Sequence, residues 1–329
     1  MIEQYDHKTL VEMFDSQNVS PILPYESIDA DVATIEASTQ ASGRISISGV
    51  QPKYAMVVDN GKLRFAREGE QGRYILKIAP IEPHIIERPW VPINEWVTMR
   101  IAEQVYGIPT AKNTLCYFGN GAVAYVTRRF DVQPDGSKWL QEDFASIANI
   151  SKDTDGPDYK YNALSYAECG ALIDKHVSAA MVEKLKFFRI VVFNYLTCND
   201  DAHLKNFSLM SPDGRDYRLT PAYDLLNTHL HLTNPHIFAL SKNLYPGMLI
   251  DWTHSVTGSS FEEFGRQLGL PAKLVEKELD GFRAEKPQVK EMLERSGLPE
   301  SLVETYFDRY DYRRVTLSFK EYEQHLTNH

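Results

Sequence analysis

Apolar and polar positions divide the chain into a strand-patterned first part and a helix-patterned remainder. Tyr54–Val58 and Leu63–Ala66 read as two strands joined at Asp59-Asn60-Gly61-Lys62. Asn-Gly predicts a type I′ hairpin there, because both central residues need φ > 0. Tyr74–Ile78 predicts a third strand with Lys77 near its end. These strands make a three-stranded antiparallel sheet preceded by a Ser/Gly loop, in which the alternation Ile45-Ser46-Ile47-Ser48 breaks at Gly49. Pro80, Pro83, Pro89 and Pro92 predict a loop over residues 79–92. Ile93, Trp96, Val97, Ile101 and Val105 then recur at helical spacing, with Glu95 in the first turn. Gly107 and Pro109 stop that helix. A second hairpin is predicted from Thr114–Phe118, the turn Gly119-Asn120-Gly121 and Ala122–Thr127.

After Phe130-Asp131 the pattern is mostly helical. Met181 to Cys198 is apolar on nearly every side, which predicts a buried central helix. It runs directly into Asn199-Asp200-Asp201-Ala202-His203-Leu204-Lys205-Asn206. Phe207–Met210 and Tyr217–Thr220 predict short strands around the turn Pro212-Asp213-Gly214, and Pro221-Ala222-Tyr223-Asp224 closes the unit. Ser165 is expected to start a helix, Ser260-x-x-Glu263 reads as a capping box, and Leu298-Pro299-Glu300 restarts a helix. Residues 1 to about 43 are polar and suggest a short helix or arm.

Composition narrows the class. The 329 residues, 43% hydrophobic and 24% charged, are ordinary for a globular chain. The net charge of −10 argues against nucleic-acid binding by overall charge. Cys116, Cys169 and Cys198 are scattered without a C-x-x-C, which fits a reducing compartment such as the cytoplasm. No signal peptide or membrane span is expected. Against this acidic background, residues 44–78 hold seven basic residues and three acidic ones, a local charge of +4. This is either a solvated edge or a surface facing phosphate.

The order of chemistry-bearing residues points to phosphoryl transfer, where catalysis is mostly positioning and charge neutralisation. Lys77, held on a strand, is a point charge for nucleotide phosphates, and Glu95 could orient it. Asp201 would accept the proton of an attacking hydroxyl. Asn206, five residues on, and Asp224 suit Mg²⁺, a hard ion that prefers oxygen donors. The Asp-to-Asn spacing is that of the protein-kinase catalytic loop, yet Gly-x-Gly-x-x-Gly, His-Arg-Asp, Asp-Phe-Gly and Ala-Pro-Glu are all missing. His229, His231 and His236 are read as loop histidines, and the tryptophans as packing residues.

The stretches Ser46-Ile47-Ser48-Gly49-Val50-Gln51-Pro52-Lys53, Tyr74-Ile75-Leu76-Lys77, Asn94-Glu95, Arg129-Phe130-Asp131 and Gln141-Glu142-Asp143 match a known pattern. So do Asn199–Phe207 and Pro221–Asp224. Together they resemble the HipA-type Ser/Thr kinases of bacterial toxin–antitoxin systems, most closely the short HipT-type members, over residues about 44 to 320. The resemblance implies an α+β, two-lobed, protein-kinase-like fold. Residues 1–131 would form a small β-rich lobe and residues 132–329 a larger helical lobe.

It also implies roles. Asp201, with the loop residues His203 and Lys205, would be catalytic. Lys77 would hold ATP phosphates, beside the phosphate loop Ser48, Gly49, Val50, Gln51 and Lys53, with Phe130 packing on adenine. Asn206 and Asp224 would hold Mg²⁺, and Ser46 and Ser48 would be autophosphorylated. A phosphate on either serine adds roughly −1.5 to −2 charge to a +4 segment, and so would turn the enzyme down. Arg128 departs from the acidic hinge residue of the longer members.

With only about 43 residues before the loop, the extra N-terminal subdomain of full-length HipA proteins is expected to be missing. A small HipS-like antitoxin would stand in for it, beside a HipB-like DNA-binding antitoxin. The implied substrate is an aminoacyl-tRNA synthetase, tryptophanyl for the HipT branch and glutamyl for HipA itself. Competing readings are a low-activity kinase-fold subunit of an antitoxin–repressor complex and a small-molecule kinase.

Overall fold

The computed structural model describes residues 5–27, 47–250 and 255–319. Ser46 lies outside them, and of Ser48 and Val50 only the backbone is described. Helix α1 (His7–Phe14) is followed by the single turn α2 (Ile47–Val50) and then by β1 (Lys53–Asp59), β2 (Lys62–Phe65) and β3 (Tyr74–Lys77). Helix α3 (Val91–Gln104) leads to β4 (Asn113–Tyr117) and β5 (Val123–Arg128). The predicted three-stranded sheet has five strands, because the second hairpin joins it in the order β2-β1-β3-β5-β4. Asn60 and Gly61 both take positive φ, 49° and 71°, as the hairpin requires. A side chain at Gly61 would also press to 2.9 Å from the Asn18 carbonyl. The register pairs Lys53 with Lys77, so two cations sit side by side at one end of the sheet.

Two expectations fail here. Ile47–Val50 is a helical turn and not the end of an alternating segment. Ile47 is fully buried with Ile85, Val91 and Leu226, and its carbonyl accepts from Gln51 N, which closes the turn. The proline-rich stretch is not loop throughout, since Arg88–Trp90 is a 3₁₀ turn and α3 begins at Val91. Pro89 and Pro92 occupy first-turn positions, where no amide hydrogen is needed. Glu95 therefore falls in the second turn of α3, where it is buried.

The second part holds β6 (Leu140–Asp143), α4 (Phe144–Ile147), α5 (Lys152–Asp155), α6 (Tyr159–Asn162), α7 (Tyr166–His176) and α8 (Ala180–Leu196). Then come β7 (Ser208–Ser211), β8 (Arg218–Leu219), α9 (Gly258–Gln267), α10 (Ala272–Arg283), α11 (Pro287–Glu294) and α12 (Glu300–Thr316). Strands β6, β7 and β8 form a small sheet. Ser165 caps α7 in a reciprocal box with Glu168, as expected. The box expected at Ser260 begins three residues earlier: Ser260 Oγ accepts from Thr257 N, and Glu263 instead pairs with Arg266.

Phe187, Phe188, Val192, Phe193 and Leu196 of α8 are fully buried at the centre of the larger hydrophobic core. The first turn of α8 is exposed at Met181 and Val182, but residues 190–196 are buried on every side, and the loop that follows this anchored end carries Asn199 and Asp201. Among the described residues, no helix is long and apolar enough to cross a membrane.

Candidate functional site

Lys77 stands at the end of β3 with its side chain 5% exposed. Its Nζ lies 2.5 Å from Glu95 Oε1 on α3 and 2.5 Å from Asp224 Oδ1. Burial disfavours the charged ammonium, but the charges of Asp224 and Glu95 outweigh it and hold the Lys77 pKa above its ordinary value. Burial raises the pKa of Glu95, against the pull of Lys77. Lys77, Glu95 and Asp224 thus make a buried triad of one ammonium and two carboxyl groups. Lys53 approaches the far oxygen of Asp224 at 3.7 Å.

Asp224 takes a left-handed φ of 56°, uncommon outside glycine and tolerated by Asp better than by most residues. Asn199 Nδ2 donates to the Asp224 carbonyl at 3.2 Å and to Asn194 Oδ1 at 2.8 Å, which ties this turn to the end of α8. Asn206 Nδ2 donates to Asp224 Oδ2 at 3.1 Å. That leaves Asn206 Oδ1 buried with no partner. An orphaned amide oxygen beside a carboxylate is the donor pair that a hard cation takes, with its remaining positions left for phosphate oxygens and water. Asn206 and Asp224 thus fit Mg²⁺.

Fixed groups hold Asp201 at both its backbone and its carboxylate. Its amide donates to Asn199 Oδ1 at 3.2 Å, and its carboxylate accepts from the Tyr161 hydroxyl at 2.8 Å. His203 Nε2 lies 3.9 Å away, but burial lowers the His203 pKa to about 4, so the ring is neutral and the two form no ion pair near pH 7. The neighbouring Asp200 does structural work. It accepts from Thr228 Oγ1 at 2.5 Å and from His236 N at 2.6 Å, pinning the 228–236 loop.

Lys53, Lys77, His203, Asn206 and Asp224 border a cleft of about 450 Å³ between the two sheets, within the usual range for a small-molecule site. Its lining includes Gly49, Lys53, Lys77, Phe130, His203, Lys205, Asn206 and Asp224 of the expected set. Lys53, Lys77, Arg128, Arg129, Lys160 and Lys205 face Asp131, Asp143 and Asp224, so cations outnumber carboxylates six to three. Phe130 packs at 5.8 Å on Tyr223, whose hydroxyl donates to the Lys205 carbonyl.

Three expected residues stand elsewhere or are otherwise engaged. Gln51 is buried away from the lining and donates to the Ile78 carbonyl at 3.0 Å. Lys205 Nζ is taken by Asp143 at 2.6 Å. Asp201 is not on the lining but buried behind it, with its side chain 5% exposed. Arg128, the departure at the hinge, pairs with Asp15 after α1 at 2.7 Å. Lys160 and Tyr161 were missed by sequence reasoning, because Tyr159-Lys160-Tyr161 lies in a polar stretch after Gly156-Pro157 with no local signal. The three histidines of the 229–236 loop bind no common centre: His229 faces the His236 carbonyl and His231 faces Asn94 and the Ile86 carbonyl. Among the described residues, no cluster of three or more His, Cys, Asp or Glu could hold a metal.

Comparison with known proteins agrees with this architecture. The family model described as "HipA-like C-terminal domain" matches residues 45–290. A protein of Haemophilus influenzae named as a candidate kinase is 27% identical over 331 residues, spanning 95% of this chain and 92% of that protein. The serine/threonine-protein kinase toxin HipA of Shewanella oneidensis is 26% identical over 269 residues, but this aligned region spans only 56% of that toxin's length. Among solved structures, the Shewanella oneidensis HipA, HipB and operator DNA complex matches with a TM-score of 0.62 at 21% identity, covering 89% of this chain and 72% of that one. The Helicobacter pylori proinflammatory kinase CtkA matches with a TM-score of 0.52 at 15% identity, covering 85% and 91%. The fold is therefore the two-lobed, kinase-like one, a sheet lobe with a helical lobe.

Proposed function

The chain belongs to the HipA-like C-terminal domain family, and from that premise we propose that it is an ATP- and Mg²⁺-dependent Ser/Thr protein kinase, the toxin of a bacterial toxin–antitoxin system. The observation that carries this reading is the convergence of Lys77, Asn206 and Asp224 on one cationic cleft, with Asp201 held behind its wall. Lys77 and Lys53 neutralise nucleotide phosphates. Glu95 anchors the Lys77 ammonium beside Asp224. Gly49 lets the chain approach the phosphates, and Phe130 covers the base. Asn206 and Asp224 would hold Mg²⁺, which would supply positive charge to offset that of the phosphates.

In the reaction, the acceptor hydroxyl oxygen bonds to the γ-phosphorus as the bond to the β,γ-bridging oxygen breaks. ADP leaves with that electron pair, and Asp201 accepts the hydroxyl proton. We retain a lobe boundary at 131/132, supported by a separate small core of Met56, Leu63, Leu76 and Val126 under the first sheet.

The substrate we favour is an aminoacyl-tRNA synthetase, tryptophanyl before glutamyl, whose phosphorylation halts translation in the cytoplasm. Regulation by autophosphorylation at Ser46 or Ser48 rests on the +4 charge of residues 44–78. A HipB-like antitoxin is supported by the similar Shewanella structure, which is a complex of HipA with HipB and operator DNA. A small HipS-like antitoxin rests on the sequence resemblance alone.

Incubating the protein with Mg-ATP and a panel of synthetases, followed by phosphopeptide mapping, tests the substrate. Phosphate on a Ser or Thr of one synthetase is expected. Phosphate only on a hydroxylated metabolite would replace this reading with a small-molecule kinase. The metal site has its own test. Asn206→Ala is expected to raise the Mg²⁺ concentration for half-maximal transfer by at least about 10-fold, the scale on which metal sites respond to loss of a supporting group. An unchanged Mg²⁺ dependence would remove Asn206 from the site.

A further inference from the structure

The turn α6 was not part of the expected machinery, yet it touches both the buried base and the cleft. Tyr161 is 1% exposed, and its hydroxyl donates to Asp201 Oδ1 at 2.8 Å. The Tyr161 ring meets the neutral His203 ring edge-on, at 5.2 Å and 72°. Its carbonyl accepts from Ser241 N at 2.9 Å, and Lys242 Nζ donates to the Ala163 carbonyl at 2.7 Å, so the turn is strapped to the loop behind it. One residue earlier, Lys160 lines the cleft, with its Nζ 5.0 Å from the centroid of the same Tyr161 ring. Lys160 has no carboxylate within ion-pair distance among the described residues, whereas Lys77 is flanked by two and Lys205 is taken by Asp143. Burial lowers the Lys160 pKa from its ordinary value, Asp201 and Asp158 act against that, and Lys53 and Lys205 add to it. A cation with no carboxylate in direct contact among the described residues, facing a cleft whose other cations are ion-paired, is suited to an anion that arrives from outside.

We propose that Lys160 and Tyr161 act together in phosphoryl transfer, Lys160 as the cation that meets the transferring phosphoryl group and Tyr161 as the positioning residue that fixes Asp201. The assignment rests on the kinase reading above. As the γ-phosphoryl group passes from ADP to the acceptor oxygen, its three equatorial oxygens need a fixed positive charge on the helical-lobe side of the cleft. Lys205, committed to Asp143, is poorly placed to supply it. Tyr161 meanwhile presents its hydroxyl to one carboxylate oxygen of Asp201, so the acceptor meets a base with a fixed orientation. Lys160 and Tyr161 come from one turn, so the hydroxyl that orients Asp201 and the charge are positioned together.

The test uses the full chain, Mg-ATP and two readouts: phosphate released to water or transferred to the synthetase panel, and Mg-ATP affinity by calorimetry. Tyr161→Phe is expected to lower kcat by about 10- to 100-fold, the cost of a misplaced catalytic group, with KM for ATP nearly unchanged and the melting temperature lowered by only a few degrees as one buried hydrogen bond is lost. Lys160→Ala is expected to lower kcat by about 100-fold or more, the cost of losing one charge-stabilising donor. Lys160→Arg should restore much of that loss and Lys160→Gln should not. Wild-type turnover with undiminished kcat in Tyr161→Phe and Lys160→Ala would overturn this inference and leave the kinase reading standing. A fall in kcat that Arg and Gln rescue equally would overturn the charge role of Lys160. A wild-type chain that neither hydrolyses ATP nor phosphorylates any acceptor would overturn the kinase reading itself.

Discussion

Asp201→Asn is expected to lower phosphoryl transfer by about 10²- to 10⁴-fold, the usual contribution of a positioned general base, while leaving Mg-ATP affinity and the melting temperature close to those of the parent. The amide keeps the shape of the carboxylate, and its oxygen can still accept from the Tyr161 hydroxyl and so preserve the contact made at 2.8 Å. The backbone bond from residue 201 to Asn199 Oδ1 is untouched by the change. What is lost is the lone pair that takes the acceptor's proton. The proposed nucleotide contacts are those of Lys77, Lys53 and Asp224, so on this reading binding and chemistry separate cleanly. Calorimetry beside a single-turnover assay reads both. A variant that transfers phosphate at the parental rate would remove Asp201 from the mechanism.

Lys77→Met is expected to abolish transfer and also to destabilise the fold, by about 3 kcal/mol near neutral pH, because it leaves buried charge without its partner. Glu95 is 1% exposed and sits 2.5 Å from the lysine that would vanish. Asp224 suffers less, since its side chain is 12% exposed and Lys53 stands 3.7 Å away.

The pH dependence has a definite sign. Burial already raises the folded-state pKa of Glu95, and loss of Lys77 removes the main force pulling it down. A carboxyl whose folded pKa is raised costs nothing while it is protonated in both states, below its unfolded value of about 4.3. The cost grows as pH rises from there to the raised folded value, because the unfolded chain ionises first. The stability deficit of Lys77→Met should therefore be smallest at the acid end and grow as pH rises toward neutral, as urea unfolding at several pH values would measure. Lys77→Met combined with Glu95→Gln should regain most of the stability and none of the activity. Equal stability of Lys77→Met and the parent at neutral pH would show that the buried triad does not support the fold.

Much of this arrangement is legible in the residues themselves, where a local pattern carries the information. Asn60-Gly61 announces its turn because few pairs accept two positive φ values. The uninterrupted apolar run before Asn199 announces a buried helix, and a buried helix fixes the position of the loop after it. Lys77, Asp201, Asn206 and Asp224 could be singled out because their order and spacing repeat a chemical logic. Elements defined by distant contacts were not legible.

Strand β6 has exposed or half-buried residues throughout, with Leu140 51% exposed, so it shows no apolar alternation. It exists because β7 pairs with it, distant in sequence but adjacent in register through Gln141↔Met210 and Glu142↔Leu209. Ile47 looked like part of a strand because two isoleucines two apart mimic alternation. Its burial against Ile85, Val91 and Leu226 decides otherwise. Tyr161 reaches Asp201 across 40 residues, and nothing in its neighbours foretells that reach. Gln51 shows the opposite error, a polar residue in a phosphate-loop pattern that spends its amide on a backbone carbonyl.

The most direct test of the central claim is peptide-mapped mass spectrometry of the purified chain after incubation with Mg-ATP, run beside the Asp201→Asn variant. The account predicts phosphate on the parent chain, in the peptide holding Ser46 and Ser48, and none on the variant. Equal phosphate on both, or ATP left unconsumed by a folded parent chain even with synthetases present, would contradict it.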